Sequence, residues 1–185
     1  MSSDRAYTSF SDLSAAVGRK AGVHERPVVC VQGLGFVGSA MAVAIADARR
    51  VDGSPCFNVV GVDLPTVEGR TKVEAINAGR LPVAATDRKL ADALEAAHAR
   101  GNLVATTDEQ AYALASVTVV DVPLDVLETE NGPTVSFDTF RAAIRTLGRI
   151  MPAGSLVVVE TTVPPGMCDK VVAPELASAL AERGL

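Results

Sequence analysis

The sequence predicts an α/β fold, a doubly wound parallel sheet with helices on both faces. Two observations carry this. From Pro27 onward, short β-branched runs alternate with longer Ala- and Leu-rich segments, and all but one of the runs are nearly continuous in apolar character. The 185 residues, 48% hydrophobic and 21% charged, suit one compact domain.

Taken in order, residues 1–26 read as a polar arm with room for one short helix between Phe10 and Lys20, and residues 27–185 as the domain. The predicted strands are Val28–Gln32, Asn58–Asp63, Leu103–Thr106, Val117–Val122 and Leu156–Glu160. A helix over Ser39–Arg49 follows the first strand. Leu90, Leu94 and Ala97 share a helical face that ends at Gly101, with Asp87 as its N-cap. Glu128–Pro133 reads as a turn-rich loop, in which Asn131-Gly132 is the turn dipeptide. Ser136 caps the next helix, on which Phe137, Phe140, Ile144, Leu147 and Met151 recur every three to four positions. Cys168 to Leu185 is a helix interrupted or bent at Pro174, which has no N–H to donate. A sheet of this kind usually has six strands; finding five before a terminal helix suggests part of a longer protein.

Composition removes several function classes. The formal charge is −5, aromatic residues are 4% and Trp is absent, which leaves neither an attractive field for nucleic acid nor a stacking platform for its bases. The longest apolar run, Ala40 to Ala46, is far short of the roughly 18 residues of a membrane span. No leader-like pattern opens the chain, so a soluble, cytoplasmic protein is expected. Cys30, Cys56 and Cys168 are odd in number and widely spaced, against both a disulfide framework and a metal site, and all three read as structural. Cys168 lies where a helix start would lower a thiol pKa. His24 in the arm and His98 on a helix read as solvent-facing.

The chemistry is concentrated after the first strand, at Gly33-Leu34-Gly35-Phe36-Val37-Gly38. The first glycine makes the tight turn, the second lets backbone approach a pyrophosphate, and the third lets helix pack on strand; unpaired N–H groups at the helix start then bind phosphate oxygens. Asp63 ends the second strand, 25 residues beyond Gly38. There its carboxylate can accept hydrogen bonds from the adenosine ribose hydroxyls and repel a 2′-phosphate, which selects NAD over NADP. The Val51–Pro55 turn accounts for a spacing above the usual value of about 20. The other reading of Asp63 is a cap for the next helix. A methyltransferase also pairs a glycine turn with an acid, but Gln32 and Gly38 favour the dinucleotide. Val122-Pro123 and Glu160-Thr161-Thr162 end the fourth and fifth strands at the same carboxyl edge. The two threonine hydroxyls could bond the nicotinamide ribose or carboxamide, or be satisfied within a turn.

Together with Gly61–Leu64, Ile76–Pro82, Ala105–Asp108, Val119–Leu124 and Glu160–Gly166 (ETTVPPG), the glycine turn resembles the N-terminal NAD-binding domain of the UDP-glucose/GDP-mannose dehydrogenase family. The resemblance covers residues 27–185. It implies oxidation of the C6 alcohol of a nucleotide sugar to the carboxylate, with two NAD per product, in a homodimer. It further implies a downstream domain whose cysteine captures the aldehyde as a thiohemiacetal and then a thioester. The proline-lysine-aspartate that should follow that cysteine is not found here, so no catalytic residue is assigned, and this chain alone is expected to bind cofactor weakly without turnover.

Three positions depart from the family pattern. Val122 stands where a threonine commonly precedes the proline. Thr86-Asp87 stands where a glutamate is usual. The basic residue expected soon after the ribose-binding acid is displaced, with Glu68 in the near position and Arg70 beyond it. Glu175 mimics a substrate-segment residue but reads as solvated helix surface. Which sugar nucleotide is used, UDP-glucose, GDP-mannose or an N-acetylated UDP-hexosamine, is not encoded in these residues. A β-hydroxyacid dehydrogenase-type domain and a stand-alone NAD-sensing module remain the other readings.

Overall fold

The computed structural model describes residues 12, 13, 15, 26–84, 87–130 and 132–185. Most of the arm, His24, Thr86 and Asn131 lie outside them, and with Asn131 half of the predicted turn dipeptide. Of the short helix expected in the arm, Asp12, Leu13 and Ala15 are described; all three are helical, and Leu13 is buried in the core.

Five parallel strands form the sheet, in the order β3-β2-β1-β4-β7: β1 (Val28–Gln32), β2 (Asn58–Val62), β3 (Leu103–Thr106), β4 (Val117–Val120) and β7 (Leu156–Val159). Every strand predicted from sequence is present. The second, fourth and fifth stop one or two residues early, which leaves Asp63, Val122 and Glu160 just past the carboxyl edge, the Asp63 and Glu160 amides still donating to the Thr106 and Val120 carbonyls. Between them run the helices α1 (Phe36–Asp47), α2 (Val67–Asn77), α3 (Arg88–Arg100) and α4 (Asp138–Ile150) and a 3₁₀ turn at Glu109–Leu114, and α5 (Ala173–Ala181) follows β7.

The period-two geometry of β1 divides its side chains between two cores. Val28 and Cys30 face the layer built by the 3₁₀ turn, α4 and the chain leading into α5, where Phe140, Ile144 and Leu147 are fully buried. Val29 and Val31 face the layer of α1, α2 and α3, packing with Ala42, Val43, Ile76 and Leu94. Each of the large side chains in these cores contributes about 1.5–3 kcal/mol by leaving water. The small residues of α1 let that helix lie close to β1 and β2. Asn77, in the Ile76–Pro82 motif, accepts from Ala105 N–H at 2.8 Å with Oδ1 and donates from Nδ2 to Ala105 C=O at 2.9 Å. Its amide therefore occupies the outer margin of β3 as a neighbouring strand would.

Capping follows the sequence in part. The Asp87 carboxylate accepts from Lys89 N–H, and Gly101 closes α3 in the left-handed region at φ 70°. Ser136 is displaced by one position: Phe137 is the N-cap of α4, while the Ser136 hydroxyl accepts from Asp138 N–H at 3.4 Å.

Three expectations are corrected. The segment read as a loop around Glu128–Pro133 is a hairpin, with β5 (Asp125–Thr129) antiparallel to β6 (Gly132–Ser136), and Gly132 has φ 100°. Glu175 is not solvated. It is 5% exposed and bonds Arg141 Nη1 at 2.6 Å and the Arg145 guanidinium, both on α4. Those hydrogen bonds, Arg145's first, hold its carboxyl below its ordinary range. The bend expected at Pro174 is a π-helical turn, Cys168–Val172, running directly into α5, which carries the proline in its first turn. Because the residues before it are helical too, the proline, having no N–H, omits one bond where the π-helical turn passes into α5.

The α4–α5 contact is close enough to reverse an ordinary rule. Ala normally exceeds Gly inside a helix by about 1 kcal/mol. A Cβ on Gly148, however, would lie 2.6 Å from the Ala179 Cβ. Gly148→Ala should therefore lower stability by about 1–3 kcal/mol in urea unfolding, and adding Ala179→Gly should recover part of the loss. A stabilised single variant would refute the contact.

Candidate functional site

At the carboxyl edge, the chain order turns from β1 toward β2 on one side and toward β4 on the other. Open sheets hold ligands at such a switch point. A crevice of about 540 Å³ lies there. Of the residues singled out from sequence, Gly33, Leu34, Gly35, Asp63, Val122 and Pro123 line it. Phe36, Val37 and Gly38 continue from the turn into α1, the first two exposed and Gly38 buried. Glu160, Thr161 and Thr162 stand at the end of β7, outside the crevice wall.

The three glycines are required for different reasons. Gly33 has φ 93°, and a Cβ on it would lie 2.3 Å from the Asp121 carbonyl oxygen. A Cβ on Gly38 would lie 2.0 Å from the Gly33 carbonyl oxygen. Both are glycine because the backbone of the turn, the helix and β4 meet there. Gly35 differs: its φ is −67°, and a Cβ would meet nothing within 4 Å. Neither packing nor conformation demands glycine at that position. As N-cap of α1 it leaves the helix without a side-chain cap, and the first-turn N–H groups of an α-helix have no partner within the helix. An open space beside such amides at the positive end of the helix dipole is the cradle a diphosphate requires.

Across the turn, the Asp63 Oδ2 accepts from Leu34 N–H at 2.9 Å and its Oδ1 from Leu64 N–H at 2.8 Å. The capping alternative for Asp63 is thereby excluded, because α2 is capped by Thr66, which accepts from Gly69 N–H. Leu34 reaches inward over Gly61 in β2, where a Cβ would come within 2.6 Å of it. That glycine lets the turn sit down on the sheet.

Lys72 and Asp121 complete the surroundings, and neither was singled out from the sequence. Lys72 Nζ lies 3.6 Å from Asp63 Oδ2 and 2.9 Å from Glu68 Oε1. Burial alone would lower its pKa, but the hydrogen bond to Glu68 and the charge of Asp63 outweigh that and raise it. Its separation from Asp63 along the chain hid it, since only a formed α2 brings the two together. Asp121 extends β4 into the crevice and accepts from the Gly38 amide; burial raises its pKa against that bond. Burial, with the nearby charge of Asp121, also raises that of Glu160.

Of the two threonines, Thr161 is 9% exposed and donates its hydroxyl to the Val122 carbonyl at 2.9 Å, tying the end of β7 to the chain after β4. Its proton is spent within the fold, and the oxygen remains an acceptor. Thr162 is exposed. Cys30 is buried, and that burial pushes its thiol up to about 12, so it is inert at neutral pH. Cys56 is half-buried and Cys168 exposed, while His98 is exposed on α3, as expected.

Gly35→Ala should keep its unfolding free energy within about 1 kcal/mol of wild type, the cost of a poorer N-cap. By calorimetric titration the same protein should lose dinucleotide affinity by at least about tenfold. Unchanged affinity would show that the space at Gly35 is not where a diphosphate lies.

Comparison with known proteins agrees with this geometry. A UDP-N-acetyl-D-mannosamine dehydrogenase of Methanocaldococcus jannaschii is 28% identical over 152 residues, which is 82% of this chain and 31% of that protein. An NDP-N-acetyl-D-galactosaminuronic acid dehydrogenase of Ralstonia nicotianae is 29% identical over 143 residues, covering 77% of this chain and 29% of the relative. Among solved structures, a UDP-glucose dehydrogenase from Pyrobaculum islandicum superposes with a TM-score of 0.66 at 30% identity, over 88% of this chain and 35% of that one. The chain thus spans about a third of the length of the curated relatives it matches. With the pattern for the NAD-binding domain matching residues 28–184, the chain belongs to the UDP-glucose/GDP-mannose dehydrogenase family, of which it is the NAD-binding domain.

Proposed function

We propose that this domain holds NAD for a nucleotide-sugar 6-dehydrogenase, an enzyme that takes the C6 alcohol of the sugar to the carboxylate in two successive oxidations. The observation that carries the reading is the pairing of Gly35, a glycine the fold itself does not need, with a carboxylate one hydrogen bond away from the same turn. Bound NAD would supply the hydride acceptor, and the protein position and electrostatics.

Each residue has a task that its surroundings support. Within the turn Gly33–Gly38, Gly35, Phe36 and Val37 present main-chain amides and the positive end of α1 to the diphosphate, while the amides of Gly33, Leu34 and Gly38 are held by the Val62 carbonyl, Asp63 and Asp121 and fix the shape of the cradle. Asp63, already fixed by two main-chain donors, turns its remaining lone pairs to the adenosine ribose hydroxyls. Val122 and Pro123 form an apolar wall against which the cofactor rests, and Val122 offers no hydroxyl to orient a water. At the far end, Thr162 is the hydroxyl free to meet the nicotinamide half, Thr161 offers only an acceptor, and Glu160 is a carboxyl that burial disposes toward its protonated form. The nucleotide sugar, the cysteine chemistry and a homodimer belong to the rest of such an enzyme, in the cytoplasm; the relative from Methanocaldococcus jannaschii is by its name a dehydrogenase of UDP-N-acetyl-D-mannosamine.

Calorimetric titration of the 185-residue chain with NAD and with NADP tests the reading. NAD should bind at least about tenfold more tightly, and Asp63→Ala should erase most of that difference. Equal affinities in the wild type would overturn the role of Asp63; no affinity for either cofactor would overturn the reading as a whole.

A further inference from the structure

The acid at the end of β2 is part of a larger charge arrangement. Lys72 is nine positions further along the chain, yet the turn after β2 and the first turns of α2 fold it back. Its ammonium ends 3.6 Å from Asp63 and 2.9 Å from Glu68, one helical turn before it. The three side chains differ in depth: Asp63 is 11% exposed, Lys72 19% and Glu68 80%. All three line the crevice, with Thr66 between them and the turn. The other cation of this helix, Arg70, is spent elsewhere, donating to the Pro65 carbonyl at 2.7 Å. Around the place where a ribose bonded to Asp63 would show its 2′-oxygen, two carboxylates therefore face one ammonium. The set carries net negative charge. An unphosphorylated ribose tolerates that, whereas a 2′-phosphate is repelled by it at short range.

Resting on the NAD reading of the crevice, we propose that Asp63, Lys72 and Glu68 act together as the cofactor-selecting device of this domain. Glu68 pins the Lys72 ammonium against Asp63, so that it steadies the ribose-binding carboxylate and is unavailable to a 2′-phosphate. The arrangement already contains the counter-charge that an NADP site requires. Preference for the unphosphorylated cofactor is thus set by the balance of acids against one lysine, and removing either acid shifts it. Asp63 does so at the cost of its own ribose contacts. Glu68 does so from the outside, freeing the ammonium while Asp63 stays in place.

The test is calorimetric titration of NAD and NADP into the full 185-residue chain as wild type, Asp63→Ala, Asp63→Ala/Lys72→Met and Glu68→Gln, with thermal unfolding of each to show that it is folded. Asp63→Ala should gain about tenfold or more in NADP affinity over wild type. The double variant, which keeps the lysine's apolar stem but loses its charge, should give that gain back. Glu68→Gln, where a screened surface charge is lost, should shift the NADP-to-NAD affinity ratio about threefold toward NADP. The proposal is overturned if the NADP gain survives Lys72→Met, if Asp63→Ala gains nothing, or if Glu68→Gln binds both cofactors as the wild type does. Loss of NAD and NADP binding in the wild type as well would overturn the cofactor reading and this proposal with it, whereas NAD binding without any Lys72 effect on NADP overturns only the proposal.

Discussion

A close main-chain approach, in which a Cβ on Gly38 would lie 2.0 Å from the Gly33 carbonyl oxygen, governs what the crevice can do. No side chain fits between them. Because they touch, α1 begins directly over the end of β1 and aims its amino end along the sheet edge, and because Gly33 also abuts the Asp121 carbonyl, the turn is wedged against β4. The ligand crevice is a result of this wedge. Its floor is backbone that cannot retreat, so its shape is set before any ligand arrives, and little ordering is left to be done on binding.

That rigidity has support on both faces. On one side, Asn102, nearly fully buried, donates to the Ala46 carbonyl at 2.8 Å and to the Phe57 carbonyl at 3.2 Å, fastening the end of α1 to the start of β2. On the other, Glu175 between Arg141 and Arg145 fixes the lean of α5 on α4. A buried carboxylate left without its guanidinium partners would be costly, so this pair specifies one arrangement of the two helices more than it adds to total stability.

What the sequence revealed and what it concealed divide by range along the chain. Strands buried on both faces are apolar throughout, so Val28–Gln32 and Leu103–Thr106 could be placed to the residue, and Asp87 and Gly101 bracket their helix by local chemistry alone. The β5–β6 hairpin escaped because it packs on neither core: Val126, Leu127 and Val135 are exposed, a proline interrupts β6, and no alternation of buried and solvent-facing positions is imposed on it. Glu175 reads as surface because a single charged residue on a helix usually is; its two partners are on another element, 34 and 30 residues earlier. Lys72 and Asp121 were hidden in the same way. Within the crevice, the glycine turn and its acid are local signals with a known mechanical reason, while the charges that modulate them are tertiary.

The two margins of the sheet are not equivalent. At β3 the amide of Asn77 plugs both hydrogen-bonding directions of Ala105. At β7 no further strand pairs among the described residues, and Leu156 and Val158 present bare aliphatic surface beside that unpaired ladder. Lengthening of the sheet is therefore polarised: any polypeptide that extends it, in cis or in trans, has a single address, and a chain kept apart from such an extension carries its propensity to self-adhere on one flank only.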